Sequence, residues 1–438
     1  MILPRPSTRR HTLYVILALQ QKGTDLTDRL YYHDSFLREF DATVVSCTPD
    51  GPRWKVILNK TAFYPTSGGQ PHDVGTLGDA RVVEVVDAPN AAVAVSAGGS
   101  DISHAADPHH LVHYTTAEVP AGPIHGQIDW PRRLDHMQQH TAQHLLSAAF
   151  IELFGFQTVS FHLGKEVSTI DLAAPSVVPR QLETAERRTN EIVFEDRPVV
   201  IRFGTAQELA ESGIRKKVER EGILRAIDIE GFDCQPCGGT HLASTGQAGL
   251  ILLRKLERSR EHWRIEFVAG YRALAAARSD FATLTQAATH LSCALQDVPA
   301  GITKNIEERR ANSSAVKRLE ERLANLEAGA LLQQNPATPD GVRLILATPP
   351  GATPSYLALL AAKLTAEKNV ITLLASHETG HVVAARSPEL PQDLGALLRE
   401  SVKEFGGKGG GAKHFAQGAL PDPAQTDALI IAAKSRLL

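Results

Sequence analysis

Apolar and polar positions alternate in short runs over the first part of the chain. Ala42 to Cys47, Trp54 to Leu58, Arg81 to Val86 and Ile124 to Trp130 have the two-residue period of half-buried strands, with Gly, Pro and Asp between them. They predict a small β-rich, barrel-like domain over residues 27–130. From Leu134 the period changes. Leu145, Leu146, Ala149 and Leu153 recur at spacings of three and four, predicting a helix to Phe154 with His136, His140 and His144 on one face. A strand follows at Thr158 to Leu163, a second helix at Pro179 to Phe194 and a Gly-rich turn at Cys234 to Thr245. Strands at Leu250 to Leu256 and His262 to Val268 close an α+β unit over residues 131–271.

Beyond Tyr271 the pattern is helical again. Leu284, Leu291 and Leu295 mark one helix, broken by Pro299 and Gly301. Val316, Leu319, Leu323, Leu326 and Ala330 mark another, and their three-four-three-four steps are those of a coiled-coil seam. Residues 272–335 are therefore expected to form an antiparallel helical hairpin, a spacer whose seam could serve a homodimer. Strand-like runs at Val342 to Ala347, Val370 to Ala375 and His381 to Ala385, helical runs at Tyr356 to Glu367 and Leu394 to Glu404, a Gly-rich loop and a last helix predict a small α/β domain over 336–438.

Composition narrows the class. The 438 residues are 43% hydrophobic and 22% charged with no apolar run long enough to span a bilayer, so a folded, non-membrane chain of several domains is expected. Four cysteines are too few for a disulfide scaffold, which favours a reducing compartment such as the cytoplasm. The first 24 residues carry Arg5, Arg9, Arg10 and Lys22 and no acid, as organellar transit peptides do, but lack a small-residue cleavage site; residues 1–26 are read as an extension. The net charge of -3 does not exclude nucleic acid, because basic residues cluster locally at Arg215-Lys216-Lys217, around Arg254 and from Lys403 to Lys413.

Histidines four apart on a helix can grip one metal ion. Spacing alone decides nothing here: about 0.7 such pairs are expected by chance, and the chain has His109/His113, His136/His140, His140/His144 and His377/His381. Cys237-Gly-Gly-Thr-His241 adds a thiolate and an imidazole across a turn whose glycines let both converge, the other half of a tetrahedral site. Cys234 offers a competing set with Cys237 and His241, which spacing leaves open. The segment from Phe63 to Gly75 holds Gly68, Gly69 and Gln70, where glycine permits positive φ and close approach of backbone to a ligand; a plain turn would look the same.

These segments together resemble the editing domain of alanyl-tRNA synthetase and its free-standing AlaX relatives. The resemblance rests on Asp129 to Ser147, with Gln139-His-Thr-Ala-Gln-His144 at its heart, on Cys237-Gly-Gly-Thr-His241, on Arg264-Ile-Glu-Phe-Val-Ala-Gly270 and on Phe63-Tyr-Pro-Thr-Ser-Gly-Gly-Gln70. The stretch from Gly406 to Gly418 is similar to the synthetase's C-terminal tRNA-binding domain, with Ala419 where the family continues with glycine. The resemblance runs from about Thr27 to Leu438, and a complete synthetase is not expected because the chain starts at the β domain.

The resemblance implies zinc held by His140, His144, Cys237 and His241, with His136 and Cys234 at no ligand position. It places Gln70 beside the pocket as a catalytic candidate together with His140 and His144. Gly68, Gly69, Thr158, Ser160 and His162 become candidates for substrate contacts, and Lys408 and Lys413 for tRNA phosphates. The implied activity is trans-editing: zinc-dependent hydrolysis of the aminoacyl ester on mischarged tRNA(Ala). A pocket made for alanine discriminates poorly against serine and cannot exclude glycine, so Ser-tRNA(Ala), and after it Gly-tRNA(Ala), are the expected substrates. The alternatives are a non-catalytic zinc-containing tRNA-binding protein and an editor of another mischarged tRNA. A DHH-type phosphoesterase is disfavoured because Asp135-His136-Met137 is not Asp-His-His, and a zinc protease because no glutamate follows His140.

Overall fold

The computed structural model describes residues 27–89, 109–211 and 222–437, so the amino-terminal extension and Arg215-Lys216-Lys217 lie outside the described residues. The protein is α+β and falls into two compact units, one up to Thr283 and one from Leu284.

The first unit begins with six strands: β1 (Glu39–Asp50), β2 (Arg53–Leu58), β3 (Gly75–Leu77), β4 (Ala80–Pro89), β5 (His109–Thr115) and β6 (Gly122–Ile128). They close as a barrel in the order β1-β2-β5-β4-β3-β6. Phe40, Val56, Leu58, Phe63 and Val82 fill it, inward positions alternating with outward ones. Strand β5 has no apolar alternation because two of its inward positions are His113 and Thr115, both buried. His113 pairs with Thr61 Oγ1 at 2.8 Å and the Val56 carbonyl at 3.2 Å, so a polar interior is satisfied and the hydrophobic signal is lost.

Helix α1 (Trp130–Phe154) is the axis of the unit. Asp129 caps it, accepting from Arg132 N, Pro131 occupies its first turn, and Gly155 ends it at φ 70°. Trp130 is thus the first turn of this helix and not the end of the preceding strand. Around α1 stand β7 (Gln157–Leu163), β8 (Ser168–Ala173), α2 (Pro179–Phe194), β9 (Val199–Gly204), α3 (Ala206–Glu211), β10 (Leu224–Ile229), β11 (Asp233–Pro236), β12 (Ile251–Ser259) and β13 (His262–Ala269). One sheet has the order β12-β13-β8-β7 and another β9-β10-β11. Met137, Leu145, Leu146 and Phe150 of α1 share a core with Ile170, Ile227, Ile265 and Phe267 from both sheets.

Helices α4 (Tyr271–Leu291) and α5 (Val298–Gln334) follow. The expected break at Pro299 and Gly301 is displaced to the segment between Leu291 and Val298, where Ser292 has φ 51°. Pro299 lies in the first turn of α5, where its missing N–H breaks no helical bond. Leu319, Leu323 and Leu326 of the seam are exposed, Leu326 by 73%.

The second unit has β14 (Arg343–Ala347), α6 (Pro354–Thr365), β15 (Val370–Ala375), β16 (His381–Arg386), α7 (Leu394–Glu404), β17 (Lys408–Ala412), β18 (Phe415–Ala419) and α8 (Thr426–Leu437). Its sheet has the order β14-β15-β16-β18-β17. The Gly-rich stretch is therefore a β-hairpin and not a loop. A Cβ on Gly407 would lie 2.6 Å from Val402 of α7, and one on Gly395 2.5 Å from the Gly411 carbonyl, so glycine serves close packing of helix on strand. Lys408 and Lys413 stand exposed on the hairpin strand and at its turn. Among the described residues no helix is long and apolar enough to cross a membrane.

Candidate metal centre

Two neighbouring turns of α1 bring His140 and His144 to one face, and the segment after β11 brings Cys237 and His241 opposite them. All four are buried, and their ligating atoms lie within 4.8 Å of one another. The Cys237 Sγ is 3.5 Å from His140 Nε2 and 3.2 Å from His241 Nε2. Imidazole nitrogens and a thiolate around one tetrahedral ion stand about 3.4 to 3.6 Å apart at usual bond lengths. The residues therefore fit a metal ion, with one sulfur and three nitrogens as donors.

Each imidazole turns its Nε2 inward because its Nδ1 is engaged outside. His140 Nδ1 donates to Gln70 Oε1 at 2.8 Å, His144 Nδ1 to Asp233 Oδ2 at 3.3 Å and His241 Nδ1 to Thr141 Oγ1 at 3.2 Å when Nε2 serves as ligand. Gln70, fully buried, is held at both ends: its Nε2 donates to Thr240 Oγ1 at 2.8 Å and its Oε1 accepts from Thr240 N at 3.2 Å. It reaches the site on a tight turn, in which Ser67 and Gln70 bond each other and Gly68 and Gly69 take φ of 51° and 82°. Two successive positive φ values explain the glycine pair. The Gly69 carbonyl accepts from Leu163 N of β7 at 3.0 Å, clasping the barrel to that sheet. Gly239 is required by proximity, since a Cβ there would lie 2.2 Å from the His140 ring.

The electrostatics favour a thiolate. Burial works against a charge on Cys237, yet the His140 and His241 imidazoles hold its thiol well below the usual range. Burial also opposes a proton on His144, but the Asp233 carboxylate and the Cys237 sulfur outweigh it and push its pKa up to about 9. Burial, with His140 alongside, holds His241 well below its ordinary value. Arg225 of β10 lies beneath, donating to the Cys237 and Tyr32 carbonyls.

The alternatives left open by spacing are separated by strand geometry. Asp233 and Cys234 are adjacent on β11 and point oppositely: Asp233 meets His144, whereas Cys234 packs with Leu209, Leu224 and Ala226. Burial pushes the Cys234 thiol up to about 11, and it is no part of the cluster. His136, one turn before His140, is buried outside the cluster, and burial, with Arg132 nearby, lowers its pKa to about 4.

Of the residues expected on β7, Thr158 faces α1, donating to Ser147 Oγ at 2.8 Å, and Ser147 also accepts from Gln143 Nε2 at 2.8 Å. Ser160 points to the other face of the sheet, donating to Asp171 Oδ2 at 2.7 Å, where Asp171 is paired with Arg264. His162, two residues along the same strand, is likewise exposed. Sequence reasoning missed Asp233 and Thr141; a carboxylate four residues before Cys237 and a threonine next to His140 carry no signal until the histidine rings are oriented.

The profile of the threonyl and alanyl tRNA synthetase second additional domain matches residues 224–266, and that of the DHHA1 domain matches 341–437. The alanyl-tRNA editing protein AlaX-L of Pyrococcus horikoshii is 30% identical over 90% of this chain and 95% of its own length. The alanyl-tRNA editing protein Aarsd1 of Danio rerio is 32% identical over 57% of this chain and 60% of its own. An alanine–tRNA ligase of Thermococcus kodakarensis is 31% identical over 94% of this chain but only 44% of the ligase. With one relative matched almost end to end and a buried metal-fitting cluster at the junction of barrel and helix, the chain belongs to the AlaX family of alanyl-tRNA editing proteins.

Proposed function

We propose that the chain is a trans-editing hydrolase that deacylates mischarged tRNA(Ala), Ser-tRNA(Ala) first and Gly-tRNA(Ala) second, with zinc held by His140, His144, Cys237 and His241. The observation that carries this reading is the buried set of three imidazoles and one cysteine sulfur whose ligating atoms all lie within 4.8 Å of one another. A mixed nitrogen and sulfur set suits zinc better than magnesium or calcium, which take oxygen. When bound, zinc supplies Lewis acidity that polarises an oxygen or nitrogen of the aminoacyl ester.

The protein's own residues orient and select. Gln70, with both ends of its amide engaged, acts as a positioning residue: it fixes the His140 ring and ties the turn before it to Thr240. Thr158 is the candidate for reading the amino-acid side chain, because it donates to Ser147, which lies one turn beyond His144 on α1 and also accepts from Gln143. Such hydroxyl and amide groups would meet a seryl hydroxyl and be left unpaired by alanine, which disfavours the correctly charged tRNA. Lys408 and Lys413 on the exposed hairpin are assigned to phosphate contacts.

The test is deacylation of Ser-tRNA(Ala), Gly-tRNA(Ala) and Ala-tRNA(Ala) by the purified chain, before and after chelation and zinc return. Hydrolysis of the first two, lost on chelation and restored by zinc, is expected. Zinc binding without hydrolysis of any charged tRNA would replace this reading with that of a tRNA-binding protein, and hydrolysis of a different mischarged tRNA would overturn the specificity.

A further inference from the structure

We infer that Asp233 sets how tightly the centre holds its ion, acting through His144 as a positioning residue; the inference rests on the metal-site reading above. Three imidazoles face the cluster, and the groups behind them differ in kind: an amide oxygen behind His140, a hydroxyl behind His241 and a carboxylate behind His144. An ionised acceptor binds an N–H about twice as strongly as a neutral one. It also draws the imidazole toward greater basicity at the opposite nitrogen, the one a metal takes. Asp233 is therefore the outer partner able to strengthen a ligand and not merely orient it.

Its placement supports the role. Asp233 is 4% exposed and sits on β11, whose register with β10 pairs it with Ile229 and pairs Cys234 with Asp228. The strand, and not a loop, aims it at His144. Burying a carboxylate costs several kcal/mol unless charge compensates it. A divalent ion held by one thiolate and three neutral imidazoles carries one net positive charge and the buried Arg225 beneath adds another, so the Asp233 carboxylate against His144 offsets positive charge in the same closed space. Neither Gln70 nor Thr141 can do so.

The experiment compares Asp233→Asn with the wild type by zinc competition against a chromophoric chelator, and by the visible absorption bands of the cobalt-substituted protein. Asparagine keeps an oxygen toward His144 and removes only the charge. The expected result is zinc affinity about 10- to 100-fold weaker, with altered cobalt bands. A second pair, Asp233→Glu and Asp233→Gln, shares one steric change and differs in charge, so the ratio of their zinc affinities reads the charge alone, even if Asp233→Asn folds poorly. A ratio of about tenfold or more in favour of glutamate supports the proposal. Equal affinities, or an Asp233→Asn variant that binds zinc as tightly as the wild type, would overturn it. A wild-type chain that takes up no stoichiometric zinc would instead overturn the metal-site reading itself, so the two failures are distinguishable.

Discussion

Arg133 of α1 and Asp73 of the segment leading into the barrel strand β3 meet side by side, with the guanidinium Nε 3.0 Å from both carboxylate oxygens and both side chains shut off from solvent. Arg133 also donates to the Ser35 and Ala62 carbonyls, and Asp73 accepts from Tyr64 N at 2.6 Å. The pair therefore joins barrel and helix, and with water shut out the carboxylate of Asp73 is the anion set against the Arg133 guanidinium. Asp73→Asn leaves a buried, uncompensated cation and should destabilise the protein by about 3 to 5 kcal/mol. Urea unfolding followed by circular dichroism checks it; a loss below about 1 kcal/mol would show that water reaches the pair.

Gly239→Ala should cost the ion, not the fold. The added methyl would press on the His140 ring at 2.2 Å and on Gln70 Oε1 at 2.9 Å, so the ring must turn away from the cluster. Bound zinc per chain should fall by tenfold or more and deacylation with it. Full zinc occupancy in this variant would mean that the backbone yields instead.

The two neighbouring cysteines should separate cleanly. Cys237→Ser removes the sulfur of the cluster and should abolish stoichiometric zinc, whereas Cys234→Ser should leave it intact, because Cys234 faces the pocket of Leu209 and Leu224. Metal analysis of both purified variants decides it. Zinc lost from Cys234→Ser would contradict the strand alternation.

That last case shows where the sequence was informative and where it stopped. Long periodic elements were legible, α2 and α7 to the residue, because their apolar positions face one core. Strands β5 and β8 were not, since short strands with inward His113 and Thr115, or a buried Asp171 paired with Arg264, break the alternation on which such a reading depends. The four residues of the buried cluster, His140, His144, Cys237 and His241, were named through the family resemblance after spacing had left Cys234 open. Their outer partners were not, because Gln70 and His140 come together across 70 positions and Asp233 and His144 across 89. The Gly-rich tail misled for a different reason: composition cannot distinguish a glycine that frees the backbone from one that makes room for a helix.

Acid should expose the barrel's polar interior. Burial lowers the His113 pKa to about 4, against about 6.5 when unfolded. Between those values the unfolded chain takes a proton that the folded chain refuses, so this residue's contribution is fully present above pH 6.5 and is lost as pH falls toward 4. The loss approaches about 1.4 kcal/mol per pH unit for one proton. Unfolding free energies at pH 7, 5.5 and 4.5 should show this slope in the wild type and a shallower one in His113→Gln; identical slopes would remove His113 as the cause.

The clasp between Gln70 and His140 has a thermodynamic side. The barrel supplies no ligand, yet the orientation in which His140 can serve one is the orientation in which Gln70 is docked. Whatever favours one then favours the other, by ordinary linkage between binding and folding. An ion bound as proposed would thereby stabilise a domain it does not touch: amide exchange in β1 and β6 should slow when zinc loads, and a lesion far out in the barrel should register as a weaker grip on the ion.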